Sequence, residues 1–230
     1  MEALAHCGEC HTPRGLMFER QQAKALSGGV VDGWRAWNIT SDKDDGIGAW
    51  SDAELASYMS KGHAPGRGPA SGAMREAVDL SLSKLSTEDI DAIIAYLRTV
   101  PPVVGDPDLR KPPQFDVTAA SVRSASVEDT LGRHIFAGAC ASCHGWKGAG
   151  NSNPRAAIAG AHSLSDPEAA NVIRVVMHGS SDGEALPGAT MPAFSAIYSD
   201  EEIAALANFV VNHFSGKQGN VTTDDVRRAR

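Results

Sequence analysis

Apolar residues recur with a helical period in two distant stretches of this chain, four in each stretch and with the same spacing. They are Ile90, Ile93, Ile94 and Leu97 in the first stretch and Ile203, Leu206, Ala207 and Val210 in the second. Ser86 and Ser199 precede the two stretches, each with an acidic residue three positions later, which is the pattern of a capped helix start. The repeat predicts two similar halves that each close with the same kind of helix.

Further helix starts lie earlier in both halves. Residues 50–55 and 164–169 each predict a middle helix, and an opening helix is predicted from about residue 126 to residue 139, directly before Cys140. Only residues 1–6 precede the matching position in the first half, so we expect the first domain to lack its opening helix and to leave its final helix partly uncovered. No useful length of alternating polar and apolar residues is found, which predicts an all-α fold.

A connector separates the two halves. Residues 101–125 show little periodicity and are rich in proline, which predicts an extended segment; the prolines are Pro101, Pro102, Pro107, Pro112 and Pro113. We therefore predict a first domain over residues 1–100, a linker over 101–125, a second domain over 126–217 and a C-terminal tail over 218–230.

All four cysteines lie in two copies of the motif C-x-x-C-H. This spacing is typical of covalent haem attachment, because the two thiols can form thioethers with the vinyl groups while the histidine ligates the iron. The sequence therefore predicts two covalently bound haem c groups, held by Cys7, Cys10 and His11 in the first half and by Cys140, Cys143 and His144 in the second.

Other uses of paired cysteines fit this chain less well. A four-cysteine zinc site would join pairs whose second cysteines are 133 residues apart (143 − 10) and would leave the histidine after each pair unexplained. A thioredoxin-like dithiol requires a βαβ context, which the pattern does not predict. Haem attachment is the interpretation that uses every residue of both motifs.

A sixth iron ligand would make each predicted haem a carrier rather than a catalyst with an open site. Met74 and Met191 each follow a stretch rich in glycine or proline between the middle and final helices, so we predict that both lie on loops and ligate iron. His63 and His178, after the middle helices, are the alternative ligands. Of the remaining methionines, Met59 and Met177 fall in the middle helices, where a core role is expected, and Met17 is too close to His11.

Other polar residues support no separate site. His6, His134, His162 and His213 follow no repeated pattern, so we interpret them as structural or surface residues. Arginines could pair with haem propionates, because a guanidinium matches a carboxylate, or could equally be surface charges; the candidates are Arg14, Arg67 and Arg155.

Composition narrows the function. The net charge of −7 argues against a nucleic-acid partner, and an aromatic content of 6% fits cores in which a porphyrin supplies flat apolar surface. No stretch reaches the roughly 18 apolar residues that span a bilayer.

Thioether attachment takes place outside the bacterial cytoplasm, so we expect a periplasmic protein, peripheral on the cytoplasmic membrane. No secretory leader precedes Cys7, and we expect the biological start to lie upstream.

The motifs resemble a known family. Residues 7–15, 38–42, 46–52 and 62–68 are similar to the second haem domain of the multihaem cytochrome c subunits of bacterial membrane-associated dehydrogenases, and residues 140–145, 191–194 and 219–230 are similar to the third domain. The resemblance implies tandem cytochrome c domains. The first haem domain of this family is not found among these residues, so we expect either an incomplete chain, which we favour, or a di-haem variant.

The resemblance also implies a function. We expect an electron-transfer subunit with no substrate-oxidising site of its own, which takes electrons from a quinoprotein, flavoprotein or molybdenum dehydrogenase subunit. The acceptor would be quinone, a terminal oxidase or another cytochrome. Two alternatives remain open, a free di-haem shuttle cytochrome and a di-haem peroxidase, and a methionine on both irons argues against the peroxidase.

Overall fold

The computed structural model describes residues 5–105, 130–151, 153–180 and 190–230. Helices dominate these ranges, which confirms the all-α prediction. They are α1 (Cys7–His11), α2 (Asp52–Lys61), α3 (Gly72–Leu80), α4 (Thr87–Thr99), α5 (Thr130–Ile135), α6 (Ala141–His144), α7 (Ala170–His178), α8 (Asp200–Ser215) and α9 (Thr223–Ala229). No helix in the described ranges is long and apolar enough to cross a membrane.

The described residues fall into two compact units. Unit 1 lies within residues 1–64 and 73–110, and unit 2 lies within residues 65–72 and 111–230. Most of the predicted connector, beyond Gly105, lies outside the described residues, as does the predicted start of the second domain at residue 126. The expected lack of an opening helix in the first domain concerns residues 1–6, of which residues 1–4 lie outside the described ranges.

Two small sheets of two short strands each accompany the helices, which is consistent with the all-α prediction. Strands β1 (Gly29–Val31) and β2 (Trp34–Ala36) pair antiparallel, and β3 (His63–Ala64) pairs with β4 (Gly68–Pro69). Asp32 and Gly33 form the turn between β1 and β2, with φ values of 49° and 76°. Positive φ at both positions is the geometry of a type I′ turn, for which Asp-Gly is a favoured pair. Strands of two or three residues are too short to show a period of two.

Helix α4 closes unit 1 as predicted. Ser86 is its N-cap and forms a capping box with Asp89. The expectation of a partly uncovered apolar face is wrong for three of its four residues, because Ile90, Ile94 and Leu97 are only 3%, 3% and 5% exposed. Helix α2 packs against α4 and contributes to this cover.

Arg98, in the last turn of α4, ties that helix to the start of α2. Its guanidinium donates to the carbonyl oxygen of Trp50 at 2.5 Å and to that of Ile47 at 3.1 Å, and it pairs with the Asp52 carboxylate at 2.7 Å. One side chain thus fixes the chain just before α2 and its first residue. This cross-link keeps the burying helix in register with α4.

In unit 2 the chain runs without a break from α5 into the second cysteine motif. A single π-helical stretch, Phe136–Cys140, joins α5 to α6, so the predicted helix into Cys140 is confirmed from Thr130 onward. Helix α5 packs against α8, and Gly132 lies at their contact. A Cβ atom at Gly132 would lie 2.1 Å from the carbonyl oxygen of Ala205, so glycine permits this close approach of the two helices.

The middle helix of unit 2 begins later than predicted. A 3-10 turn, His162–Ser165, comes first, and α7 starts at Ala170. The side chain of Asp166 accepts from the backbone N–H groups of Glu168 at 3.0 Å and Ala170 at 3.4 Å. Asp166 therefore performs the capping role at this start, because an aspartate can satisfy free N–H groups there.

Helix α8 is the centre of the unit 2 core. It starts after N-cap Ser199, as predicted, with a capping box to Glu202, and Gly216 is its C-cap. Its buried residues pack with Phe136, Val172 and others in one apolar cluster. Helix α9, which had no predicted secondary structure, packs on α8 and α7 and buries Val226 completely.

Candidate haem sites

The first C-x-x-C-H motif occupies the single turn of α1. Its histidine is oriented by the chain that follows β2, because His11 Nδ1 lies 2.6 Å from the carbonyl oxygen of Trp37. A carbonyl oxygen only accepts, so Nδ1 carries the proton and Nε2 keeps a free lone pair. Burial lowers the pKa of His11, which favours the neutral ring that a metal requires.

The loop after α1 is braced from both sides. The Thr12 hydroxyl, on a residue only 3% exposed, accepts from the Leu26 N–H at 3.1 Å. At Gly29 an added Cβ atom would lie 2.7 Å from the Cys10 carbonyl oxygen, so glycine lets β1 pass directly over the motif. The β1–β2 hairpin therefore fixes both the attachment turn and the carbonyl that orients His11.

Arg14 has surface partners. It pairs with Glu9 at 2.6 Å and donates to the Phe18 carbonyl oxygen at 3.1 Å. Glu9 also pairs with Arg20 at 3.2 Å. Of the two roles left open for Arg14, the structure supplies contacts for that of a surface charge. Met17 lies in the loop between Arg14 and Arg20, and it is 88% exposed.

The second motif is built on the same principle from different elements. Cys140 ends the π-helical stretch, and Cys143 and His144 lie on α6. His144 Nδ1 lies 2.8 Å from the carbonyl oxygen of Ala156. Ala156 ends a 3-10 turn whose first N–H groups are capped by the Asn153 side chain, at 2.8 and 3.1 Å. Here too the histidine presents Nε2 for ligation.

The four thiols are free and remain available for thioether formation. Burial raises the pKa of Cys7 and Cys10 and raises that of Cys140 to about 11. Burial therefore favours the protonated thiol at these three positions. Paired thiols and a histidine oriented through Nδ1 are the donor set that haem c requires, so both motifs fit this cofactor.

Met191 borders the same core as the second motif. It is half-buried and packs against the apolar cluster that contains Cys140. Its backbone is held firmly, because Met191 N–H donates to the Ser180 hydroxyl at 2.9 Å and its carbonyl accepts from Ser180 N–H at 3.0 Å. As predicted, it lies on an irregular segment between the middle and final helices.

Met74 is placed differently from the prediction. It lies in the first turn of α3, a helix that begins at Gly72, and not on a loop. The residues after Gly72 are good helix formers, and Met74 and Val78 are spaced to share a helix face. Met74 is half-buried, while Val78 is completely buried. The role of Met74 as an iron ligand stays a prediction.

The competing ligands separate by burial. His63 lies in β3 and is 8% exposed, whereas His178 ends α7 and is exposed. Met59 and Met177 are 8% and 1% exposed within α2 and α7, in line with the predicted core role. His63 is thus the histidine to compare with methionine as a distal ligand.

Sequence reasoning missed the two groups that orient the proximal histidines. Both are backbone carbonyls, at Trp37 and Ala156, and a carbonyl has no residue signature. Signals for the supporting elements were present: the Asp32-Gly33 pair marks the first hairpin, and Asn153-Pro154 marks the start of the 3-10 turn.

Known proteins are similar to this chain over the two ranges that contain the C-x-x-C-H motifs. The cytochrome c family model matches residues 2–101 and 130–214. The whole chain is 33% identical to half (50%) of the fructose dehydrogenase cytochrome subunit of Gluconobacter japonicus and 31% identical to 54% of the gluconate 2-dehydrogenase cytochrome c subunit of Pantoea cypripedii. A diheme cytochrome c-type protein of Cereibacter sphaeroides matches 45% of the chain at 41% identity, over 34% of that protein.

The chain spans about half the length of the curated dehydrogenase relatives it matches. The similarity to cytochrome subunits confirms the resemblance found in the sequence. Members of the matched family bind haem c covalently, as the two motifs predict. With two matched segments and a C-x-x-C-H motif in each, this chain belongs to the cytochrome c family.

Proposed function

We propose that this chain is a di-haem electron-transfer protein that passes electrons from a dehydrogenase catalytic subunit towards quinone, a terminal oxidase or another cytochrome. The observation that carries the proposal is the repeated proximal geometry. Both His11 and His144 donate Nδ1–H to a backbone carbonyl, at 2.6 and 2.8 Å. When bound, haem c supplies an iron that gains and loses one electron.

The chain's own groups have distinct tasks in this proposal. Cys7, Cys10, Cys140 and Cys143 would hold the porphyrins as thioethers, and the two histidines would bind iron through Nε2. The carbonyl partners would make each imidazole a stronger donor to iron, which would favour the ferric state. Met74 and Met191 would complete the coordination, so that no position is open for a substrate.

Haem count is the first test. The purified chain, matured with haem c, should contain two haems per polypeptide in a pyridine haemochrome assay. Replacing Cys7 and Cys10 by alanine should leave one covalent haem, and the matched change at Cys140 and Cys143 should leave the other. Loss of both haems from either variant, in folded protein, would contradict independent attachment.

Ligation is the second test. Met191→Ala and Met74→Ala should each convert one low-spin haem to high spin, with covalent attachment retained. His63→Ala should leave both haems low spin, and the exposed His178→Ala is the matched control. A high-spin iron in the His63 variant, with none in Met74→Ala, would assign the first distal site to histidine.

The partner is the third test. A tagged chain should co-purify with a dehydrogenase from its native membranes, and that enzyme's substrate should reduce its haems. The similarity to named dehydrogenase cytochrome subunits supports this expectation. Haem reduction by diffusible partners alone, without a stable complex, would favour a shuttle, and peroxide turnover by the reduced protein would favour a peroxidase.

A further inference from the structure

The C-terminal segment of unit 2 makes directed contacts with the chain that carries Met191. The contacts come from residues 221–230 of the tail (218–230), which contain α9, and we define the methionine segment as residues 190–199. Arg230 donates to the carbonyl oxygens of Ser195 at 2.9 Å and Tyr198 at 3.3 Å. It also pairs with Asp200, the first residue of α8, at 2.6 Å.

The tail itself is firmly anchored. Val221 exchanges two hydrogen bonds with the Asn208 side chain of α8, both at 2.9 Å. Val226 is completely buried and Val221 is 7% exposed. Thr222 caps α9 and forms a capping box with Asp225. Arg230 therefore extends from an anchored helix, so its hydrogen bonds to Ser195 and Tyr198 restrain the methionine segment.

The front of the methionine segment is held by α7. Phe194 N–H donates to the Val176 carbonyl oxygen at 3.0 Å, and Ser195 N–H donates to that of Met177 at 3.3 Å. Ser195 thus receives a bond from Arg230 through its carbonyl and gives one to α7 through its amide. The methionine segment is thus held by α7 at Phe194 and Ser195 and by Arg230 at Ser195 and Tyr198, and Met191 lies just before these contacts.

We propose that Arg230 is a positioning residue for Met191, which keeps its thioether at the distal side of the second haem. This inference rests on the proposed ligation of iron by Met191. Bonds from a charged guanidinium to two carbonyls and a carboxylate are stronger than neutral ones. Removing them should release the methionine segment more often, while α8 and the buried α9 stay folded.

The test measures how easily imidazole replaces the distal ligand in the full-length ferric protein with its haems. An added ligand binds only when the methionine is off, so its apparent affinity reports the fraction of the open state. The imidazole phase of the second haem is identified as the one that Met191→Ala tightens. Arg230→Gln should tighten this phase about tenfold, since the loss of such a bond typically corresponds to that factor.

Matched variants distinguish positioning from general charge loss. Arg228→Gln removes an arginine whose ion pair, among the residues that the structure describes, is with Asp225 of the same helix α9, and it should leave imidazole affinity unchanged. Arg230→Lys keeps the positive charge, so it should tighten imidazole binding less than Arg230→Gln does. The long-wavelength charge-transfer band of methionine-ligated ferric haem should weaken at lower temperature in Arg230→Gln than in the parent protein.

Two results would overturn the inference separately. If Met191→Ala tightens imidazole binding and Arg230→Gln does not, the ligation stands and the positioning role is wrong. If Met191→Ala changes neither imidazole binding nor the charge-transfer band, then Met191 is not a ligand, and the positioning role is wrong with it.

Discussion

Replacing Ile94 by alanine should strongly destabilise unit 1. Ile94 is 3% exposed in α4, on the face that α2 covers. Truncating a buried isoleucine to alanine typically costs about 2–5 kcal/mol, because the apolar contact is lost and a cavity remains. A whole domain is stable by only about 5–15 kcal/mol, so this one change removes a large share.

The assay is urea and thermal unfolding of the full chain with its haems, followed by far-ultraviolet circular dichroism. A loss of about 3 kcal/mol should lower the unfolding temperature of a unit of this size by roughly 12–24 °C. Asp91→Ala, on the exposed side of the same helix, is the matched control and should stay within about 0.5 kcal/mol. Equal stability of the two variants would refute the burial of this face and restore the expectation of an uncovered helix.

Other substitutions test separate parts of unit 2. Ser199→Ala should remove the N-cap of α8 and its bond with Glu202, which costs about 1 kcal/mol in urea unfolding; an unchanged midpoint would contradict the capping role. Phe136→Ala should cost about 3–5 kcal/mol, because this ring is 1% exposed, and a smaller loss than for Ser199→Ala would refute it. Hydrogen bonds from Thr222 lower the pKa of Asp225, so Asp225 adds stability above its unfolded pKa that is lost as pH falls through the folded value. Thr222→Ala should raise that pKa towards its ordinary value in a carboxyl NMR titration, and no rise would assign the shift to other groups.

The parts of the fold predicted correctly have local causes. The starts of α4 and α8 were located from Ser86 and Ser199, because a capping box is written within four residues. The motifs that carry the haem prediction are equally local, since both thiols and the histidine of each motif lie within five residues. Such features need no knowledge of the rest of the chain.

The parts that were missed depend on distant contacts or on overlooked short signals. Burial of Ile94 depends on α2 and on Arg98, which reaches back about fifty positions in sequence to Trp50. Met74 was expected on a loop because glycines and prolines precede it, yet the helix formers after Gly72 determine its structure. The capping pattern of Thr222 and Asp225 was present in the sequence. The hydrogen bond between Asn208 and the backbone of Val221, which anchors this segment, could not be predicted from it.

The methionines of this chain differ widely in exposure, so they provide internal references for a chemical oxidation experiment. Peroxide converts accessible thioethers to sulfoxides, and the reaction slows with burial. Met17 at 88% exposed and Met177 at 1% give fully reactive and fully protected references inside one polypeptide. Met74 and Met191 are half-buried, so coordination to iron would protect them beyond what burial alone provides. Peptide mass spectrometry of briefly oxidised protein therefore reads the state of both distal positions at once, without labels or mutations.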